Sequence, residues 1–126
     1  MKSLKVGIIG SGVMGRGHAE FIRDFLSNAQ VVAVSDVDLV RAQALALDID
    51  SNGTVAAFAE PTKMIAESVV DAVIIASPDH LHVEHLRIAM SAGLDILCEK
   101  PIATNLEDAR AIASEIQAYE LISGQA

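Results

Sequence analysis

Short apolar runs alternate along this chain with segments whose apolar residues recur at helical spacing, a pattern that predicts strands separated by helices. Leu4 to Ile9 (LKVGII) reads as the first strand and Val13 to Leu26 as the first helix. Val31 to Ser35 (VVAVS) is a second strand, rich in β-branched residues, and the Ala, Leu and Arg content from about Asp38 to Leu47 favours a helix. Ser51-Asn52-Gly53 marks a turn, Thr54 to Ala57 a short strand, and Pro61 the first position of a short helix. Asp71 to Ala76 is the clearest buried strand, ended by Ser77-Pro78. A helix from about Asp79 to Ala92 should stop at Gly93, a residue suited to the left-handed position after a helix. Asp95 to Cys98 is the next strand. Thr104-Asn105-Leu106-Glu107 resembles a capping box with Thr104 at the cap, opening a helix to about Tyr119, and Leu121-Ile122-Ser123 would begin one more strand.

Strands and helices in this order give an α/β fold: a doubly wound, mostly parallel sheet that binds ligands beyond the carboxyl ends of its strands. No repeat, linker or low-complexity stretch divides the chain, so residues 1–126 are expected to form one domain. Glu99 and Lys100 follow directly on an apolar strand and should therefore face the ligand crevice.

Between the first strand and the first helix stands Gly10-Ser11-Gly12-Val13-Met14-Gly15, the pattern G-x-G-x-x-G in the position a dinucleotide fingerprint requires. Gly10 would make the tight turn, Gly12 would admit the pyrophosphate to the backbone, and Gly15 would let the helix pack closely on the sheet. The anion then meets free amides at the positive end of a helix. Asp36 follows the second strand, where a carboxylate can accept both hydroxyls of the adenosine ribose, and it would repel a phosphate at the 2′ position. NAD is therefore favoured over NADP, and the nearby Arg41 reads as a solvated helix position. An S-adenosylmethionine-dependent methyltransferase also combines a glycine loop with an acid after the second strand, but gives no reason for Glu99-Lys100-Pro101.

Gly10 to Gly15, Asp36, "ASPDHLH" at Ala76 to His82, "AMSAG" at Ala89 to Gly93 and "CEKP" at Cys98 to Pro101 together resemble the N-terminal half of the Gfo/Idh/MocA oxidoreductase family. "GVMGRGH" and "VVAVSDVD" lean toward its inositol 2-dehydrogenase branch. The resemblance implies a Rossmann fold in which Lys100 is the catalytic residue, pointing at the nicotinamide and the reacting carbon. Glu99 would orient that turn, and the Lys100-Pro101 bond would be cis. Ser77 and Pro78 would form the loop beside the nicotinamide ribose, with His82, at the family's histidine position, among the cofactor-binding residues, and Asp79 where the family often has Asn. An ammonium at the substrate hydroxyl stabilises developing alkoxide while hydride leaves for the nicotinamide. The resemblance also implies a second α/β domain, holding the substrate pocket and a catalytic histidine, that this chain does not contain. The expectation is an NAD(P)-dependent oxidoreductase of a polyol or sugar whose present chain binds cofactor without full catalysis, the alternative being a non-catalytic dinucleotide-binding or subunit-interaction module.

Composition narrows the partners. Nine Lys plus Arg against seventeen Asp plus Glu leave a net charge of −8 with 3% aromatics, which disfavours nucleic acid. No apolar run approaches a membrane span and Met1-Lys2-Ser3-Leu4 leads straight into strand-like sequence, so a soluble cytoplasmic protein is expected. Cys98 is the sole cysteine, read as a small apolar filler. His80, His82, Glu84 and His85 do not make a metal site, because neighbours one or two apart point to different helix faces, leaving at most His82 and His85 together. His18 reads as a packing or surface residue, and apolar surface left uncovered makes a homo-oligomer plausible.

Overall fold

A computed structural model describes residues 3–123. Its elements in chain order are β1 (Leu4–Ile9), α1 (Val13–Phe25), β2 (Ala29–Ser35), α2 (Leu39–Ile49), β3 (Ala56–Phe58) and α3 (Pro61–Glu67), then β4 (Ala72–Ile75), α4 (His82–Ser91), β5 (Asp95–Cys98) and α5 (Leu106–Ser123). The strands form one five-stranded parallel sheet in the order β3-β2-β1-β4-β5. The order reverses between β1 and β4, and that switch point is where doubly wound sheets open a ligand crevice.

The period-2 alternation of the strands assigns each side chain to a face. Ile8 and Ile74 join Ile22, Leu45 and Val34 under α1 and α2. Ile9, Val73 and Ile75 turn the other way and pack with Met64, Leu86 and Ile112 under α3, α4 and α5. Helices cover both faces of the central strands, as a parallel sheet requires, whereas Leu97 of β5, level with Ile74 on the α1 face, stays exposed. Among the described residues no helix is long and apolar enough to cross a membrane.

Register decides what the sheet presents. Ile9 pairs with both Ser35 and Ile75, Ser35 with Phe58, and Ile75 with Cys98, so every strand ends on one line. The ladder continues one residue further: Gly10 donates to the Ser35 carbonyl at 2.8 Å, Ala76 to Ile9 at 2.7 Å, Asp36 to Phe58 at 3.1 Å and Glu99 to Ile75 at 3.0 Å. The residues after each strand thus share one edge.

Four sequence expectations shift. The third strand lies at Ala56–Phe58 rather than from Thr54, because its partners are Ala33 to Ser35 and the pairing runs to the sheet's common edge. The segment from Asp79 begins as a 3₁₀ turn, Asp79–Leu81, closed by Leu81 N–H on the Pro78 carbonyl at 2.9 Å, and the α-helix proper starts at His82. The last helix is capped by Asn105, not Thr104: the Asn105 Oδ1 accepts from the Asp108 amide and the Asp108 carboxylate accepts from Asn105 Nδ2, both at 2.8 Å. Residues 121–123 continue α5 instead of opening a strand, since no Gly or Pro interrupts Leu106 to Ser123 and a helix once begun extends cheaply. The glycine expected after α4 is there, Gly93 at φ 71°.

Candidate functional site

The loop between β1 and α1 is built by what its glycines lack. Gly10 has φ 100°, and a Cβ there would lie 2.5 Å from the Ser77 nitrogen and 2.6 Å from the Ala76 carbonyl carbon. Gly15 presses against the same loop from the helix side: its Cβ would stand 1.8 Å from the Gly10 oxygen. These two glycines close the turn onto the sheet. Gly12 is different, because a Cβ on it would meet no heavy atom within 4 Å. It is the N-cap of α1, makes no side-chain capping bond, and has no acid in the turn that follows, while Val13 and Met14 stand exposed. The first amides of α1 therefore open onto free space at the positive end of the helix.

Asp36 sits at the end of β2 with its side chain 7% exposed. Its Oδ2 accepts from the Ser11 amide at 2.8 Å and its Oδ1 from the Asp38 amide at 2.9 Å. It is both a turn aspartate and the anchor of the glycine loop, and a carboxylate with two bonds still has acceptor directions left. Arg41, expected as a solvated position, lies with Nη1 3.8 Å from Asp36 Oδ2 while remaining 55% exposed. Ser11 turns its hydroxyl inward onto the Ser35 carbonyl at 3.1 Å, so only its backbone faces the loop. Gly10, Asp36, Val37, Arg41, Ser77 and Pro78 line one cleft.

The turns after β4 and β5 are tied by histidines. His82, 1% exposed, places Nε2 2.8 Å from the Ser77 carbonyl and Nδ1 2.6 Å from the Pro101 carbonyl. His85 Nδ1 lies 2.7 Å from the Ser77 hydroxyl. Burial holds the His85 imidazole below its usual range, with Glu84 opposing and His82 adding to the effect, so a neutral ring accepts from Ser77. His82 and His85 share a helix face as the sequence suggested, yet serve loops, and the described residues contain no cluster suited to a metal ion. His18 is not a mere packing residue. It reaches from α1 to the Glu99 carboxylate, an ion pair whenever the ring is protonated. That contact was invisible beforehand because 81 residues separate its partners and helix–strand packing alone unites them.

Lys100 is exposed at the tip, and the Lys100-Pro101 bond is cis, as the resemblance implied. Cys98 is half-buried, and burial, then Glu99, pushes its thiol up to about 11, in keeping with a filler rather than a nucleophile. The structure thus brings Gly10 to Gly15, Asp36, Ser77, Pro78, Glu99, Lys100 and Pro101 to one edge, while His82 lies behind it. Chemically the edge offers amides to an anion, a carboxylate to a diol and, some strands along, an ammonium to a polar reactant.

Comparison with known proteins places this geometry. Residues 4–123 match the family model described as the oxidoreductase family with an NAD-binding Rossmann fold, GFO_IDH_MocA. Inositol 2-dehydrogenase 1 of Saccharopolyspora erythraea is 39% identical over 115 residues, which cover 90% of this chain and 34% of that protein. Inositol 2-dehydrogenase of Corynebacterium glutamicum is 42% identical over 106 residues, 84% of this chain and 31% of that one. Among solved structures, myo-inositol dehydrogenase from Lactobacillus casei in complex with NAD(H) and myo-inositol superposes with a TM-score of 0.83 at 33% identity, covering 95% of this chain and 34% of that chain. The chain spans about a third of the length of these relatives. A match from the first strand through the last helix carries the conclusion that the chain belongs to the Gfo/Idh/MocA oxidoreductase family, as its NAD-binding Rossmann part.

Proposed function

We propose that this chain is a domain that binds NAD along the carboxyl edge of its sheet and that, in the whole protein, it presents Lys100 to a polyol undergoing hydride transfer. One observation carries the reading: the uncapped first turn of α1 opens at Gly12 beside a nearly buried carboxylate, Asp36, one strand away. The amides of Val13, Met14 and Gly15 would hold the pyrophosphate, with Gly10, Ser11 and Gly12 shaping the loop through their backbone. The remaining acceptor directions of Asp36 would take the adenosine ribose hydroxyls, and its charge disfavours NADP, with Arg41 more than half exposed and only loosely paired to it at 3.8 Å. Ser77, Pro78, Glu99 and Pro101 would frame the nicotinamide end. Bound NAD supplies the hydride acceptor. Lys100 would donate to the reacting hydroxyl and stabilise negative charge developing on its oxygen.

The relatives named above support inositol or a similar polyol as substrate class. The reducing cytoplasm suits the free Cys98, and exposed Phe21, Phe25 and Leu97 support self-association. On this reading the chain alone binds NADH, and turnover of myo-inositol would need the second domain that the family resemblance implies.

Titration of NADH fluorescence tests the proposal. Saturable binding is expected, tighter than for NADPH. Because Asp36 also anchors the Ser11 amide, Asp36→Asn is a cleaner probe than Asp36→Ala, and losing a charged acceptor should weaken NADH roughly tenfold. Lys100→Ala should bind NADH like the parent chain. Absence of saturable NADH binding overturns the reading.

A further inference from the structure

The strand ladder ends at Glu99, whose amide donates to Ile75 at 3.0 Å. Beyond it, residues 100–103 carry Lys100 into the site, and among the described residues the one hydrogen bond that reaches this segment is the contact of His82 with the Pro101 carbonyl. The opposite ring nitrogen of His82 holds the Ser77 carbonyl, on the loop leaving the neighbouring strand, and His85 fixes the same loop through the Ser77 hydroxyl. The ring is 1% exposed and each nitrogen lies against a main-chain carbonyl, which accepts only where that nitrogen carries a hydrogen. The doubly protonated ring bonds both carbonyls at once and a neutral ring one at a time, and in either form no polar atom is left to offer a ligand.

We propose that His82 is a positioning residue that staples the Lys100-Pro101 turn to the Ser77-Pro78 loop, setting where the Lys100 ammonium stands rather than contacting a dinucleotide itself. Lys100 is exposed and forms no ion pair among the described residues, so its side chain starts from wherever the backbone of the turn is held. That backbone is fixed from the side of α4. The proposal rests on the NAD reading only in what the turn is positioned against; the staple is a property of the chain alone.

Two substitutions divide the staple. In His82→Asn the carboxamide nitrogen falls near the place of Nδ1 and keeps the Pro101 contact; in His82→Gln it falls near Nε2 and keeps the Ser77 contact. Amide hydrogen exchange at Glu99, whose bond to Ile75 is the last before the turn, reads how firmly the turn is held. Loss of one net hydrogen bond should speed exchange there roughly fivefold in His82→Gln, with His82→Asn close to the parent. In both variants NADH affinity should stay within about twofold, since a partner without a direct contact shifts binding little, while the emission of bound NADH should change in His82→Gln and return in His82→Asn. Equal acceleration in the two variants, spread over the whole chain, marks a merely structural histidine and overturns the staple. So does unchanged exchange in His82→Gln, or a matching large loss of NADH affinity in both. If the parent chain binds no NADH but exchange separates the variants as expected, the staple stands and the dinucleotide reading falls.

Discussion

His85 shows how one side chain registers its surroundings. It is 5% exposed and its Nδ1 faces the Ser77 hydroxyl, while Glu84 Oε2 lies 3.9 Å from the other nitrogen. With its folded-state pKa depressed below the ordinary 6.5 chiefly by burial, the ring is neutral in the fold. The unfolded chain takes up a proton first as pH falls below that value, so the contribution of His85 is fully present above it and is lost as pH falls through the depressed folded value. Urea midpoints measured from about pH 7.5 down to about pH 5 should fall more steeply for the parent than for His85→Gln. Cys98, displaced upward to about 11, leaves on the order of one thiolate in ten thousand at neutral pH, so iodoacetamide should modify it far more slowly in the folded chain than in urea. At this scale the sequence was readable wherever a residue's placement is set locally. Glu99-Lys100-Pro101 announces itself in three adjacent letters, whereas His18 on Glu99 depends on α1 crossing the sheet, and the inward turn of Ser11 on the loop's fold.

Elements were legible where period and punctuation agree. β1 and β5 run over the residues expected, because an apolar run and a turn signal bound each of them. The misplacements fall where two local signals compete. Thr104 and Glu107 spell a capping box, but Asn105 caps at least as well and Asp108 returns its amide bond, so the helix begins one residue later. Asn105→Ala should cost about 1 kcal/mol in urea unfolding, and Thr104→Ala little, which reverses the ranking the sequence alone suggests. β3 moved by about two residues for a different reason: three residues carry little pattern, and the register of β2 decides. α4 starts late because its opening turn is wound as 3₁₀ behind Pro78, a choice that also brings His82 beneath both turns.

For the whole molecule the question is whether the space at Gly12 serves the fold or a ligand, and the glycines of one loop can separate the two. Gly15 has no room: any side chain strikes the Gly10 oxygen, so Gly15→Ala should lower the thermal midpoint of the chain with no ligand present. Gly12 has room and a φ of −80°, so Gly12→Val should cost no more than the loss of a fair N-cap residue and lower the ligand-free midpoint far less than Gly15→Ala. Its methyl groups would instead occupy the approach to the first amides of α1. A ligand held only by the folded chain stabilises it by about 2.7 kcal/mol at a hundredfold excess over Kd. NADH at that excess should therefore raise the midpoint of the parent by several degrees, and the same concentration should leave Gly12→Val unmoved. A core variant such as Leu45→Ala supplies the control: losing a fully buried side chain should cost roughly 2–5 kcal/mol, yet the upward shift with NADH should persist, because neither the loop nor Asp36 has changed. If NADH shifts Gly12→Val as far as the parent, the dinucleotide lies elsewhere, and the open side of that glycine is only surface.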